Sequence, residues 1–253
     1  MEIKTKALTE LARKAGEAIL TIYNNAELAG EVDFKRDDSP LTLADQAAHE
    51  VIMEGLQSLY PDIPIISEEG AQIPYETRKN YEYFWLVDPL DGTKEFINRN
   101  GQFTVNIALI NKNTPVAGFI YCPVPDTLYV GIKGGESYKE EQNMKTALKV
   151  SHSESKRVAV RSKSHAAPEE EEVLKQYDVV NDISVGSSLK FCMVAEGKAD
   201  IYYRHGPTME WDTAAGQAVL ESAGGKVLKG TGPEPFLYNR ENMLNGSFLC
   251  LGF

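Results

Sequence analysis

The sequence predicts a chain that mixes helices and strands in two unlike halves, and three observations carry that expectation. Apolar side chains in the first sixty or so residues recur at helical spacing. The stretch from Thr104 to Ile132 reads as short strands joined by tight turns, the pattern of an antiparallel meander. Beyond a change of composition at Ser151-His152-Ser153-Glu154-Ser155, strand and helix signals alternate, which suggests parallel βα units. A domain boundary is placed there, giving residues 1–150 and 151–253.

In order along the chain, residues 2–24 place Leu8, Leu11, Ala15, Ala18, Ile19 and Ile22 on one helical face. Val32 to Arg36 is strand-like and leads to an Asp37-Asp38-Ser39-Pro40 turn. A second helix starts near Thr42, an N-cap residue type, and runs through Ala47, Ala48, Val51, Ile52 and Leu56. Asp45 falls in its first turn, where an acid suits the helix dipole. Ile63 to Ile66 is a short apolar strand that ends in Ser67-Glu68-Glu69-Gly70.

Twenty residues later the chain reaches a second strand with the same kind of ending, Phe84-Trp85-Leu86-Val87-Asp88-Pro89-Leu90-Asp91-Gly92-Thr93-Lys94. Pro89 keeps Asp88 out of the helical region, so the strand should run up to it. Gly92 permits a turn and close approach of another group, and Thr93 offers a hydroxyl that can cap the next element. Two carboxylates on a tight turn at a strand end suit a hard cation held with substrate phosphate. The same residue types also make ordinary polar turns, so the turn by itself leaves both readings open.

Strands are expected next at Thr104 to Ile110, Val116 to Tyr121 and Thr127 to Ile132, with Lys133-Gly134-Gly135-Glu136 as a hairpin turn. Tyr138 to Thr146 reads as an exposed loop or sheet edge. In the second half, Arg157 to Arg161 is a strand, Pro168 and Glu169 to Glu172 open a helix, and Val179 to Val185 is a strand. Gly186-Ser187-Ser188 starts a helix that runs to about Gly197, and Asp200 to Arg204 is a strand. Asp212 stands at the start of a last helix, where it reads as an N-cap. The small residues Ala214, Ala215 and Gly216 make that helix one that packs very closely on something. Gly224-Gly225 ends it.

Composition narrows the function classes. The chain of 253 residues is 42% hydrophobic and 25% charged, with ample length for a sizeable core. A net charge of −11 argues against a generic nucleic-acid or membrane-surface binder. It leaves room for a phosphorylated substrate, because bound cations reverse the local sign. Cys122, Cys192 and Cys250 have no metal-like spacing and read as reduced core thiols of a cytosolic protein. The N-terminus opens an amphipathic helix and not a signal peptide, and no apolar run approaches the ~20 residues of a membrane span.

The acids at 45, 68, 88, 91 and 212 all fall at element ends. Gathered together they would repel one another unless cations lie between them, and two or three Mg²⁺ would neutralise them and clamp a phosphate. No Gly-x-x-x-x-Gly-Lys-Ser/Thr loop is present, nor a Cys-x-x-Cys or His-Glu-x-x-His pattern, so a P-loop or zinc mechanism has no support.

Asp88-Pro89-Leu90-Asp91-Gly92-Thr93 and Trp211-Asp212-Thr213-Ala214-Ala215-Gly216 resemble the two signature motifs of the inositol monophosphatase family of Mg²⁺-dependent, lithium-sensitive phosphatases. Glu68-Glu69 stands where that family has its metal-binding acid pair, and the resemblance spans about residues 5–250. Within the family it is strongest to the bacterial 3'(2'),5'-bisphosphate nucleotidase branch. Trp85 to Phe96 and Gly186-Ser187-Ser188-Leu189-Lys190-Phe191-Cys192 carry that, and Lys94 and Glu95 depart from the Thr and Asn usual in inositol monophosphatases.

The resemblance implies an α+β fold, a layered αβαβα sandwich in which an N-terminal half with an antiparallel sheet packs on a C-terminal α/β half. It implies one metal on Glu68, Asp88 and the Leu90 carbonyl, a second on Asp88, Asp91 and Asp212, and a third, looser ion shared with Glu68. It counts Asp45, Thr93 and Glu68 as catalytic, with Thr93 and Asp45 orienting the attacking water. The Gly92 and Thr93 backbone would hold the departing phosphate. Glu68, Leu90, Asp91 and Asp212 would face the substrate. His165, Ser187, Lys190 and Arg204 match positions that bind the nucleoside and its second phosphate.

The implied reaction is hydrolysis of adenosine 3',5'-bisphosphate to AMP and phosphate. Conversion of 3'-phosphoadenylyl sulfate to adenylyl sulfate is a related step in nucleotide recycling during sulfur assimilation. An inositol monophosphatase or broad sugar-phosphate phosphatase is the alternative. A silent metal or nucleotide sensor would have lost an acid or Thr93, and none is lost. The expected location is the cytoplasm. Homodimers are common among relatives, and the residues leave open both that assembly and a peripheral attachment to the inner face of the cell membrane.

Overall fold

A computed structural model describes the chain apart from residues 26–27, 29–31, 35–39 and 164–166, with backbone alone for 32–34 and 40–41. The N-terminal helical pattern forms α1 (Thr5–Tyr23), which buries Leu8, Leu11, Ala12, Ala15, Ile19 and Ile22. Two short antiparallel strands come next, β1 (Val32–Phe34) and β2 (Pro40–Thr42). The expected strand to Arg36 and the turn from Asp37 lie partly outside the described residues. α2 (Leu43–Leu59) begins at the Thr42 cap and packs beside α1.

Both helices lie on one face of a seven-stranded sheet of order β3-β4-β5-β6-β7-β8-β9. Its strands are β3 (Ile65–Ser67), β4 (Tyr83–Asp91), β5 (Thr104–Asn111), β6 (Thr114–Cys122), β7 (Thr127–Ile132), β8 (Ser137–Glu141) and β9 (Met144–Ala147). Two short helices, α3 (Tyr75–Arg78) and α4 (Thr93–Ile97), flank β4 in sequence. β3 runs parallel to β4, and the remaining pairs are antiparallel, as a meander requires. Tyr138 to Thr146, expected as a loop or edge, is a hairpin at the edge of the sheet, its outer strand fully exposed.

The near-continuous apolar run of β4 reflects burial on both faces. Trp85 and Val87 join the α1–α2 core, while Phe84 and Leu86 join the core on the far side. That second core is filled by α6 (Leu189–Ala195) and α7 (Glu210–Ser222). A five-stranded sheet of order β11-β10-β12-β14-β13 closes it, built from β10 (Arg157–Ser162), β11 (Val179–Val185), β12 (Ile201–Arg204), β13 (Lys226–Lys229) and β14 (Phe248–Leu251). Leu174 of α5 (Pro168–Leu174) packs with Ala159, Ile201, Tyr203 and Leu249 on that sheet's outer side. The layers are thus αβαβα. The second sheet is mixed and not wholly parallel: β10 pairs in parallel with β11 and β12, but β14 returns antiparallel between β12 and β13.

The small residues of α7 lie on β6 and β7, where the sheet supplies glycines in turn. A Cβ at Gly118 would stand 2.3 Å from the Ala215 carbonyl oxygen, and one at Gly131 would stand 2.4 Å from Val219 Cα. Both obstacles are backbone, so neither yields cheaply. Gly118→Ala is expected to lower stability by about 1–3 kcal/mol through overpacking, read as a lower urea midpoint at unchanged slope. An unchanged midpoint would mean that α7 does not rest on β6 at this distance. No helix among the described residues is long and apolar enough to cross a membrane.

Candidate active site

Parallel pairing of β3 with β4 brings two acid-bearing strand ends side by side. Ser67 is registered with Val87, and the Glu68 N–H donates to the Val87 carbonyl at 3.0 Å, so Glu68 and Asp88 leave the sheet together. The β4–β5 register then shifts: Asp88 faces Asn106 and Asp91 faces Thr104, three steps on one strand against two on the other. In a regular strand, residues three apart point to opposite faces. The extra residue reverses that and turns Asp88 and Asp91 into one cavity. Pro89 sits in this irregularity, where its missing N–H costs no ladder bond. Gly92 comes next with φ +93°, and a Cβ there would stand 3.2 Å from Ser187 Cβ, so both the turn and the close approach require glycine.

The first turn of α7 supplies the acid from the second half. Asp212 is the third helical residue and not the N-cap. The cap position is Met209, whose N–H donates to Asp212 Oδ2 at 2.8 Å. Thr93 likewise is the first residue of α4 and caps nothing, Gly92 being the cap. One carboxylate oxygen each from Glu68, Asp88 and Asp212 lies within 4.8 Å of the others. Asp88 Oδ1 also accepts the Leu90 N–H at 3.0 Å, and Asp91 Oδ2 accepts the Ser188 hydroxyl at 2.7 Å. These side chains, with Leu90, Gly92, Thr93, Ser187, Lys190 and Arg204, line a cavity of about 600 Å³.

Burial pushes the Asp88 and Asp212 carboxyls well above the ordinary range, and their acidic neighbours push them further. Asp91 is raised by burial too, an effect opposed by Lys190 and by its bonds to Ser188 and Asn106. Gathered acids that resist ionisation together are short of positive charge. Their donor set is wholly hard oxygen, so the residues fit Mg²⁺ and not a soft metal.

Lys190 and Arg204 are buried and line the same cavity. Burial lowers Lys190 to about 8, against the pull of Asp91; its ammonium donates to the Ser187 carbonyl at 2.6 Å. Arg204 Nε donates to the Gly206 carbonyl at 3.2 Å and Nη2 to that of Pro207 at 3.3 Å. Ser187 holds φ +45°, and its buried Oγ has no hydrogen-bond partner among the described residues.

Asp45 is buried at the head of α2. Its Oδ2 accepts the Thr42 N–H at 2.7 Å and the Thr42 hydroxyl at 2.6 Å in a capping box. Burial raises it to about 6, with the charges of Glu69 and Glu68 adding to the shift. His165 lies outside the described residues.

Two polar residues beside Asp91 escaped the sequence reading, Asn106 and the second serine of Gly186-Ser187-Ser188. A signal for the first existed: Thr104 and Asn106 stand at alternate positions, hence on one face, of an otherwise apolar strand.

The sequence profile of the inositol monophosphatase family matches residues 2–248. The 3'(2'),5'-bisphosphate nucleotidase CysQ of Escherichia coli (strain K12) is 48% identical over 240 residues, which cover 94% of this chain and 96% of that protein. The protein of the same name from Haemophilus influenzae is 36% identical over 246 residues, covering 96% and 90%. The crystal structure of CysQ from Bacteroides thetaiotaomicron, described as a bacterial member of the inositol monophosphatase family, matches with a TM-score of 0.86 at 41% identity, covering 98% of this chain and 97% of that one.

Proposed function

The chain belongs to the inositol monophosphatase family, and from that premise we propose that it is a Mg²⁺-dependent 3'(2'),5'-bisphosphate nucleotidase that hydrolyses adenosine 3',5'-bisphosphate to AMP and phosphate. The observation that carries this reading is one cavity lined by both acids and buried cations. Glu68, Asp88, Asp91 and Asp212 line it together with the buried cations Lys190 and Arg204. A monophosphate needs only the acids with their metal ions. A second, uncleaved phosphate is the charge complement of Lys190 and Arg204. The names of the bacterial relatives support the same substrate class.

Glu68, Asp88 and the Leu90 carbonyl would hold one ion, Asp88, Asp91 and Asp212 a second, and Glu68 would share a third. Mg²⁺ bound there supplies charge neutralisation, a clamp on the phosphoryl oxygens and a more acidic water. The chain itself positions. The Gly92–Thr93 backbone donates to the phosphate that departs, and the Thr93 hydroxyl with Asp45 orients the attacking water. Thr42 fixes one Asp45 oxygen and so fixes the orientation of its carboxylate. Lys190 and Arg204 hold the 5'-phosphate, with Ser187 beside the nucleoside. Phosphoryl transfer needs little beyond positioning and charge stabilisation of this kind. The same site would take 3'-phosphoadenylyl sulfate, and the enzyme would then serve the recycling of sulfur-assimilation nucleotides in the cytoplasm.

Phosphate release from adenosine 3',5'-bisphosphate, inositol 1-phosphate and fructose 1,6-bisphosphate, each with Mg²⁺ and with chelator, tests the reading. The bisphosphate nucleotide should be the best substrate, activity should vanish with chelator, and millimolar lithium should inhibit. Faster turnover of inositol phosphate would replace the reading by an inositol monophosphatase, and turnover that survives chelation would end it.

A further inference from the structure

The hydroxyl of Ser188 is a junction of four elements. Ser188 caps α6, and its Oγ lies 2.7 Å from Asp91 Oδ2 at the end of β4. It also lies 2.8 Å from Asn106 Nδ2 on β5 and 2.9 Å from the Asp212 carbonyl oxygen in α7. Asn106 Nδ2 further reaches Asp91 Oδ2 at 3.3 Å. Ser188 is 2% exposed and Thr104 and Asn106 are 0% exposed, so these contacts are made within the protein interior.

Proton counting fixes the directions. Thr104 donates its hydroxyl to Asn106 Oδ1 at 3.1 Å, so the amide turns Nδ2 toward Ser188 and Asp91. Ser188 then accepts from Asn106 and has one proton for two acceptors. An ionised carboxylate is the stronger acceptor, and the contact to Asp91 is the shorter one. Asp91 Oδ2 therefore receives two side-chain donors, and the Ser188 N–H gives the same carboxylate a third, backbone bond. The Asp212 main chain is seated against the same hydroxyl.

We propose that Ser188 and Asn106 are positioning residues whose side chains commit Asp91 Oδ2 to the protein and so fix the orientation in which the Asp91 carboxylate meets a cation. The inference rests on the metal-site reading above. Outer partners of this kind are worth about 10- to 100-fold in metal affinity. Mn²⁺ serves as the probe, its binding to the full-length protein tracked by the electron paramagnetic resonance signal of free Mn²⁺. The melting temperature in chelator is recorded beside it.

Ser188→Ala should raise the Mn²⁺ dissociation constant by about 10-fold or more, and Ser188→Thr, which restores a hydroxyl, should recover most of that loss. A merely structural role would lower the metal-free melting temperature and leave the Mn²⁺ constant of the folded fraction unchanged, which would overturn the proposal. Should Ser188→Ala fail to fold, Asn106→Ser removes both amide donors, and unaltered Mn²⁺ affinity there overturns it equally. Wild-type protein that binds no Mn²⁺ would end the metal-site reading and this inference with it. Wild-type binding with equal binding by the variants would end this inference alone.

Discussion

Asp88→Asn is expected to leave a folded protein with kcat reduced at least about a hundredfold, the scale of losing a main electrostatic stabiliser. Asp88 is 2% exposed and shares its position with Glu68 and Asp212. Asparagine keeps the size and the Oδ1 that accepts the Leu90 N–H, so the turn should survive. The substitution removes a negative charge that both proposed ions would share.

Stability should move the other way in the absence of metal. Asp88, Asp91 and Asp212 all have folded-state pKa values raised above their unfolded values. Groups raised in this sense contribute stability below the unfolded pKa and lose it as pH rises through the folded one. Wild type in chelator should therefore weaken from acid toward neutral pH. Asp88→Asn, with one fewer buried charge to repel, should match or exceed it at pH 8, and the gap should close toward pH 5. Saturating Mg²⁺ should raise the wild-type melting temperature and raise that of the variant much less. Near-normal turnover at saturating Mg²⁺, or a variant markedly less stable than wild type in chelator at pH 8, would remove Asp88 from the role.

The acids were legible because each is announced locally. Glu68 and Asp88 terminate apolar strand runs, and Asp212 comes just before the small residues Ala214, Ala215 and Gly216. Their meeting depends on the parallel pairing of β3 with β4 and on α7 lying on the sheet. Ser188 and Asn106 were not legible as a pair, since they are 82 residues apart and each is a common polar residue. Direction in the second sheet failed for a similar reason. Local patterns up to Arg204 fit parallel strands, and nothing in Phe248–Leu251 shows that it returns between β12 and β13. The cap of α7 was misread because Met209, whose side chain has little capping preference, holds the position that Asp212 was expected to occupy.

Substrate choice turns on Arg204. If it binds the uncleaved phosphate, Arg204→Ala should reduce kcat/KM for adenosine 3',5'-bisphosphate by about ten- to a hundredfold, since a charged contact to a phosphate oxygen is worth roughly 1.5–3 kcal/mol when desolvated. Turnover of 3'-AMP, which has no second phosphate, should barely change. The structure adds a competing role. Arg204 also donates to the carbonyls of Gly206 and Pro207 and so shapes the turn that leads to α7 and Asp212. A disturbed turn would shift Asp212 and harm both substrates alike, so the ratio of the two losses separates the roles. Arg204→Met, which keeps an apolar stem, should behave like Arg204→Ala if charge is what matters. Arg204→Lys should fall between them and wild type, because it keeps the charge and loses the planar fork. Equal losses on both substrates, with a matching drop in Mg²⁺ response, would assign Arg204 to the turn beneath the metal site. No loss on either would leave Lys190 as the buried cation of the cavity still proposed for the second phosphate.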